Sequence, residues 1–524
     1  VDIRNFIFGL AEAAVYGFCK SRKQKFGNMQ MPLLKERFIR LWLTGILRRN
    51  RIQMSGKGIH KYFHTHHHHR NHPQNVDLTQ GSIIKCIIQF AIPMFLGQLL
   101  QQFYNMVDAW VVGNFSDNNN FAAVSSGGSL TFLIIGFFNG IAIGGGVIIS
   151  RYFGARDKES VQKAIHTNFL FGIMSSVLAT AAGLLLVPGL LAWMKTPAEV
   201  LPHSLVYFRI YFAGVSTVIL YNICMSIMQA QGDSLHPLYY LIFSSLVNIV
   251  LDLIFVAGFH QGAGGAAVAT VIAQGLSVLL CLVRMCREPD EMVRLDFRKL
   301  HFYKDIMLQS IGQGLPTGIQ NSVISIGNIV IQSNVNAFGA YAISGHGAYA
   351  KIEGFVFLPI MSVSMVLPTF ISQNLGAGRQ ERAKKGAAFG ILSGMVLAEL
   401  VGAVIYLWAP YALRFFVNSE EAVKYGVIHA RTVAPFFFVL AFSHCAAGVM
   451  RGCGKAFVPM MTMLLFWCGV RILYVTLAVK EFPVFKTISW AYPLTWTLST
   501  LLFLAVLLRM DWGNAIGKRR HPEA

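Results

Sequence analysis

Long uninterrupted runs of apolar residues dominate the chain from residue 83 onward. An α-helix rises about 1.5 Å per residue, so about 20 apolar residues cross the roughly 30 Å hydrocarbon core of a bilayer. The runs do not alternate apolar and polar positions, which argues against the wall of a β-barrel. They predict twelve transmembrane helices, at residues 84–113, 121–150, 164–190, 205–230, 236–259, 262–284, 305–337, 343–372, 384–409, 427–450, 456–479 and 488–509.

Composition supports this prediction. Of the 524 residues, 54% are hydrophobic and 13% are charged, against about 25% charged in ordinary soluble domains. Such a chain has too few polar residues to cover a water-exposed surface. We therefore predict an all-α polytopic membrane protein. The eight cysteines form no CxxC pair and no metal-like spacing with histidine, so no metal site is predicted.

Every second connection between the apolar runs is basic. Residues 151–163, 284–304, 379–385 and 451–455, together with the tail, hold twenty Lys and Arg. The opposite side holds only five: Lys195, Arg414, Lys424, Lys480 and Lys486. Because Lys and Arg resist translocation, we expect the basic side, with both termini, to be cytoplasmic. This bias and the basic first 76 residues account for the net charge of +20, so no nucleic-acid partner is expected.

The chain contains an internal repeat. Residues 149–155, Ile-Ser-Arg-Tyr-Phe-Gly-Ala, recur at an offset of 222 as residues 371–377, Ile-Ser-Gln-Asn-Leu-Gly-Ala. Six spans per repeat predict two six-helix lobes related by a pseudo-two-fold axis along the membrane normal. The same offset or one larger pairs the following residues of the two halves: Met228 with Met450, Gly232 with Gly454, Pro237 with Pro459, Pro93 with Pro316 and Asn105 with Asn328.

The repeat suggests a domain organisation and a class of function. We predict an amino lobe at residues 77–300 (helices 1–6), a carboxy lobe at 301–510 (helices 7–12) and a cytoplasmic tail at 511–524. Residues 1–76, basic and histidine-rich with a cluster at 64–72, are expected to be an extension outside the fold, without a metal role. A path between two such halves favours alternating-access transport over a channel or an enzyme.

Four carboxylic acids fall inside the predicted spans: Asp108, Asp252, Glu353 and Glu399. A charge near the centre of a bilayer costs several kcal/mol, about 2.5–3.5 on insertion scales, and usually faces a cavity or a partner. Asp108 and Asp252 are the stronger candidates because other polar residues accompany them. The alternative interpretation is that these residues only hold helices together through hydrogen bonds.

A polar stripe leads to Asp108. Gln98, Gln101, Asn105 and Asp108 are spaced i, i+3, i+7 and i+10 on one helix face. Asn248 and Asp252 share a face of the fifth span, and the sixth contributes Thr270. These residues predict a cation or proton site, because two buried carboxylates repel each other and favour one shared proton. The possible substrate cavity would add Gln98, Gln101, Tyr104, Asn105, Tyr221 and Met225, and Pro93 and Pro316 are candidate hinges.

Several motifs together resemble the multidrug and toxic compound extrusion (MATE) transporters, nearest to their DinF-like and MepA-like bacterial branches. The resemblance covers about residues 77–510 and rests on Asp77-Leu-Thr-Gln-Gly81, Ala91-Ile-Pro93, Tyr104-Asn105-Met-Val-Asp108, Asn248-x-x-x-Asp252, Gly262-Ala-Gly264-Gly265 through Thr270, and Gln373-Asn374-Leu-Gly376-Ala377-Gly378. It implies efflux of organic, amphiphilic cations driven by inward H⁺ or Na⁺, without another cofactor.

The resemblance also assigns residues. Asp108, Asn248, Asp252 and Thr270 match the cation-site positions of the amino lobe in such transporters. The NorM-like branch instead carries an acidic residue after the proline of the seventh span. Residues 316–324 contain none here, so a carboxy-lobe cation site of that kind is not expected.

The predicted protein is therefore a monomeric, multi-pass antiporter of the bacterial inner membrane, with organic cations and the lipid bilayer as its partners, and not an enzyme. Two alternatives remain. One is a lipid-linked saccharide flippase of the same superfamily, which would use cavity arginines; Arg209, Arg431 and Arg471 are the only candidates near membrane depth. The other is a receptor or scaffold without transport.

Overall fold

The computed structural model describes residues 76–126, 128–193 and 196–512. The predicted extension, with its histidine cluster, and the end of the tail lie outside the described residues. Within them, twelve long helical segments follow one another, each overlapping one predicted span. They are α1 Ile83–Phe115, α2 Gly128–Gly154, α3 Lys158–Trp193, α4 Leu201–Ala213 with Val215–Ala230, α5 Leu235–Gly258, α6 Gly262–Cys286, α7 Lys304–Asn336, α8 Ala340–Gly376, α9 Gln380–Arg414, α10 Glu420–Gly452, α11 Phe457–Glu481 and α12 Phe485–Arg509.

Most of these helices suit a bilayer individually. Among the described residues, ten are long and apolar enough to cross a membrane, or eleven when the bent pair in α4 counts as one span. The exception is α7, which is 33 residues long but includes Gln309, Gln313, Gln320 and Asn321. The all-α polytopic fold predicted from the apolar runs is confirmed.

Two predicted spans are not described as single straight helices. The second is helical on both sides of residue 127, with a short helical stretch at Asn118–Ser126 and α2 at Gly128–Gly154. Asp117 starts this short helix: its Oδ1 accepts the backbone N–H of Asn120 at 2.8 Å. The fourth span, predicted as one helix, bends by 44° at Gly214. A Cβ atom at Gly214 would overlap Val271 of α6, so glycine allows this close approach.

Each half of the helical region has its own apolar core. The first is built mainly by α2–α6, around side chains such as Phe208, Phe212 and Ile223. The second is built by α7–α12, around Phe437, Trp467 and Trp496. The two cores follow the order of the sequence, as a duplicated six-helix unit requires.

The first helix connects the two halves. Near its start, Ile87 and Phe90 pack in one cluster with Leu367 and Phe370 of α8. Near its end, Val111 and Val112 pack instead with Val256 of α5 and Ala266 of α6. Pro93 lies inside the helix, beside Met94, which belongs to the same cluster as Ile87 and Phe90. Different parts of α1 therefore belong to the packing of different halves.

The halves also touch where α2 meets α7. Cβ atoms at Gly140 and Gly144 would overlap the backbone of Gly318 and Gly314, so the two helices are in backbone contact. Closer to the basic loops, Ser372 Oγ of α8 donates to the carbonyl of Val147 in α2 at 2.7 Å. Small residues permit this approach, as they do in other membrane helix pairs.

A short segment before α1, residues 76–82, contacts both halves on the side of the basic loops; we call it the clasp. The Arg382 guanidinium donates to the carbonyls of Gly81 at 2.6 Å and Gln80 at 2.7 Å. Asp77 Oδ2 lies 3.3 Å from Arg156 Nη2, in the connection between α2 and α3. The clasp therefore contacts both halves, at the α2–α3 connection of the first and at the start of α9 in the second.

Candidate functional site

Two acidic side chains meet inside the first half. Asp252 is the last residue of the α-helical part of α5, directly before the π-helical turn Leu253–Gly258. Such turns widen a helix and often occur at functional sites. Asp252 is fully buried, and Asp108 reaches it from α1. Their carboxyl groups lie within hydrogen-bonding reach of each other.

These carboxyl oxygens lack other polar contacts. Among the described residues, Asp108 Oδ1 and both oxygens of Asp252 are buried without another hydrogen-bond partner, as are both amide atoms of Asn248. Carboxylate oxygens only accept hydrogen bonds, so two in contact need a shared proton or a cation. The arrangement fits exchange of H⁺ or a small cation such as Na⁺, for which oxygen ligands are suited.

A small cavity adjoins the pair. Asn248 and Thr270 line it together with Tyr104. The remaining walls come from Leu241, Ser244, Ser245, Ala273 and Gln274. The structure thus brings Asp108, Asn248, Asp252 and Thr270 into one region, formed by α1, α5 and α6.

The polar stripe of α1 continues from the pair. Gln101 and Asn105 are exposed, although they lie on the helix face opposite the exposed apolar residues Ile92, Leu96 and Trp110. The apolar face suits lipid, so the polar face points into the helix assembly. Gln98, nearer the start of α1 on the same stripe, has its Nε2 2.9 Å from the Met365 sulfur of α8. These three side chains share the face of α1 that points into the helix assembly, and their role in lining a substrate path stays a prediction.

The other predicted cavity residues lie elsewhere. Tyr221 is buried in the core of the first half, and its hydroxyl donates to the carbonyl of Pro237 at 3.3 Å. Met225 packs against the same core. Neither lies beside the acidic pair. Pro93 and Pro316 occupy interior positions of α1 and α7, as their hinge prediction requires, and a hinge role for them stays a prediction.

Glu399 has a local structural partner. Its Oε2 accepts the backbone N–H of Phe438 at 3.3 Å. That N–H lies just after the 3₁₀ turn Ala434–Phe436, which interrupts α10 and contains Pro435. A carboxylate at the start of a helical segment satisfies an otherwise unpaired donor and opposes the helix dipole. Glu399 therefore stabilises the break in α10.

From the sequence, Arg471 is considered only as a candidate cavity arginine of the flippase alternative. This side chain is 2% exposed, and its guanidinium lies 4.7 Å from the ring centre of Tyr492 and 5.4 Å from that of Trp467. The half-buried Glu353 of α8 is near enough for the two charges to interact. Arg209 and Arg431, the other arginines near membrane depth, are exposed. The internal repeat relates Arg471 to a predicted site residue. Arg471 lies 223 positions after Asn248, the offset that also pairs Asn105 with Asn328.

Comparisons with known proteins agree with this architecture. The relatives include YpnP, a probable multidrug resistance protein of Bacillus subtilis, 26% identical over 392 residues that cover 75% of this chain and 87% of YpnP. The multidrug export protein MepA of Staphylococcus saprophyticus is 22% identical over 435 residues, covering 82% of this chain and 94% of MepA.

Solved structures show the same fold. A transporter of the MOP superfamily from Pyrococcus furiosus has a TM-score of 0.78 at 21% identity, covering 83% of this chain and 98% of that chain. A MATE crystal structure in the bent conformation also has a TM-score of 0.78 at 21% identity, covering 83% and 97%. The sequence model of the MatE family matches residues 93–254 and 316–476, one stretch in each half. The chain belongs to the MatE family.

Proposed function

We propose that this protein is a multidrug exporter of the cytoplasmic membrane that exchanges amphiphilic organic cations for H⁺ or Na⁺. Family membership and the relatives named for multidrug export support transport as the activity. The observation that carries the exchange mechanism is the buried contact between Asp108 and Asp252.

The acidic pair provides a reason for coupling. With a proton or Na⁺ between them, the two carboxyl groups tolerate their contact. Without one, their mutual repulsion and the loss of hydration disfavour the same arrangement. Binding and release of the coupling ion therefore favour different arrangements of α1 and α5. A ligand shifts an equilibrium only through such a difference between states.

The first helix is placed to pass this difference to the substrate path. Asp108 shares α1 with the exposed Gln101 and Asn105, so movement of one displaces the others. The start of α1, at Ile87 and Phe90, packs on α8, so a movement of α1 is passed to the second half. In this mechanism, an ion entering from outside neutralises the pair, the path narrows and the organic cation leaves. Loss of the ion to the cytoplasm resets the cycle.

Reconstitution tests this function directly. The purified full chain is placed in sealed vesicles, and movement of a fluorescent organic cation is followed under a pH gradient and, separately, a Na⁺ gradient. We expect one gradient to drive the dye against its own concentration difference, and that gradient identifies the ion. Absence of dye movement under both gradients, from protein that is correctly folded, would contradict the proposal.

A further inference from the structure

The second half contains a fixed positive charge at membrane depth. Arg471 Nη2 donates to Thr495 Oγ1 at 2.9 Å, and its Nη1 lies 3.4 Å from Asn328 Oδ1. Among the described residues, no carboxylate lies within ion-pair distance of this guanidinium. Charges inside a membrane protein are rare, face the interior and commonly mark a substrate or ion path.

The contact on the Nη1 side of Arg471 is Asn328 of α7. Asn328 is exposed, although it lies on the face of α7 opposite the exposed Leu308 and Leu315. By the reasoning used for Asn105, it points into the helix assembly. Its 3.4 Å contact with Arg471 is long for a hydrogen bond. A ligand group with stronger acceptors can therefore replace the amide beside Nη1.

The internal repeat relates Arg471 and Asn328 to residues of the first half. Asn328 is the counterpart of Asn105, and Arg471 that of Asn248, both at an offset of 223. Before the π-helical turn Leu464–Val470 of α11, the two halves correspond at an offset of 222, as Pro237 and Pro459 do. Such a turn inserts one residue into a helix, so the offset after it is 223. Arg471 thus occupies in the second half the place of a cation-site residue of the first. The charge there has the opposite sign.

We propose that Arg471 and Asn328 form an anion-accepting subsite, so that the preferred transported compounds are amphoteric, with an acidic group as well as a basic one. This inference rests on the proposed export function and narrows its substrate class. A carboxylate is the matching group, because the planar guanidinium donates two parallel hydrogen bonds to it. The basic group of the same compound remains free to face the acidic side chains of the first half.

A matched pair of probes tests the subsite. One is a fluorescent quinolone with a piperazine amine and a ring carboxylate, and the other is its ethyl ester, which keeps the amine but lacks the acid. Binding to the purified full chain is measured in detergent without any gradient. We expect the wild-type protein to bind the acid at least five-fold more tightly than the ester. Arg471→Gln should abolish this preference by weakening the acid only, and Arg471→Lys should retain part of it.

Asn328→Asp provides a second variant that leaves the buried arginine in place. Its carboxylate would occupy the position beside Nη1, so we expect loss of the preference for the acid with ester binding kept. Arg431→Gln, at an exposed arginine of α10, is the matched control and should bind both probes as the wild type does.

Two results would overturn the subsite. One is equal affinity of the wild-type protein for acid and ester. The other is equal weakening of both probes by Arg471→Gln with no change in Asn328→Asp, which would assign Arg471 to packing alone. Because binding is measured without a gradient, these results are independent of the vesicle experiment. Failure of dye export with intact acid preference would reject the exchange function and keep the anion subsite.

Discussion

The acidic pair differs from other carboxylates of the protein in its partners. Asp77 is paired with Arg156, and Asp233 Oδ2 lies 2.7 Å from the ring nitrogen of His236. Each of those carboxylates has a basic side chain as a local partner. Asp108 and Asp252 have each other, so their charge depends on what the protein takes up from solution.

Substitutions at the pair should separate ion coupling from folding. Asp108→Asn and Asp252→Asn each copy the neutral acid in shape but cannot release a proton or hold Na⁺ as a carboxylate does. We expect normal membrane insertion with gradient-driven export reduced at least ten-fold, measured in vesicles. Glu399→Gln is the control at an intramembrane acid and should export normally. Wild-type export rates in both Asp variants would exclude the pair as the coupling site.

Glu399 should affect stability instead. Glu399→Ala removes the acceptor for the N–H of Phe438, and an unpaired donor costs about 1–3 kcal/mol. Glu399→Gln keeps an acceptor oxygen and should lose much less. Unfolding of the two variants in detergent measures the difference. If both unfold like the wild type, water or lipid satisfies the donor and the bond contributes nothing.

The sequence predicted the residues of the acidic site better than their surroundings. Apolar runs interrupted by Asp108 and Asp252 identified them, because charge inside a span is rare. The cavity prediction for Tyr221 had less support from the sequence, since an aromatic residue in a membrane helix packs in a core as readily as in a cavity, and periodicity alone does not distinguish the two. Arg471 was considered only as weak support for a flippase, because its partners come from three other helices.

At the scale of helices, packing explains what hydropathy could not predict. Polar residues of α7 contact neighbouring helices, Asn321 at the Gly136 carbonyl of α2 and Gln320 at the Met463 sulfur of α11, so α7 fails a hydropathy criterion while still being part of the bundle. The bend at Gly214 follows from the proximity of Val271, a contact between residues 57 positions apart in sequence. Such features depend on neighbours that a linear pattern does not reveal.

The glycine contact between α2 and α7 provides a test at this scale. A Cβ atom at Gly144 would overlap the backbone of Gly314, and overpacking of this kind costs about 1–3 kcal/mol or more. We expect Gly144→Ala to lower the unfolding temperature in detergent and to reduce transport. Gly312→Ala is the control within α7, because no atom lies within 4 Å of its Cβ position. An unchanged unfolding temperature for Gly144→Ala would mean that the helices can separate without penalty.

For the whole molecule, the distribution of positive charge predicts which loops face the cytoplasm. Cysteines introduced at Glu159, Arg287 and Gln380 on the basic side should resist an impermeant thiol reagent in intact cells. A cysteine at Glu481, on the opposite side, should react readily. The native cysteines of the described region are buried or half-buried, which limits background labelling. Ready labelling of any of the first three positions would reverse the orientation.

The bridging position of α1 has a consequence for biogenesis. The clasp carbonyl of Leu78 accepts a hydrogen bond from Asn374, a residue synthesised 296 positions later. When the ribosome has completed the first six helices, the inner end of α1 still lacks the α8 side chains that cover Ile87 and Phe90. A nascent first half therefore exposes an unfinished surface in the membrane. Residues 77–300 produced alone should be degraded rapidly, and co-production of residues 301–510 should protect them.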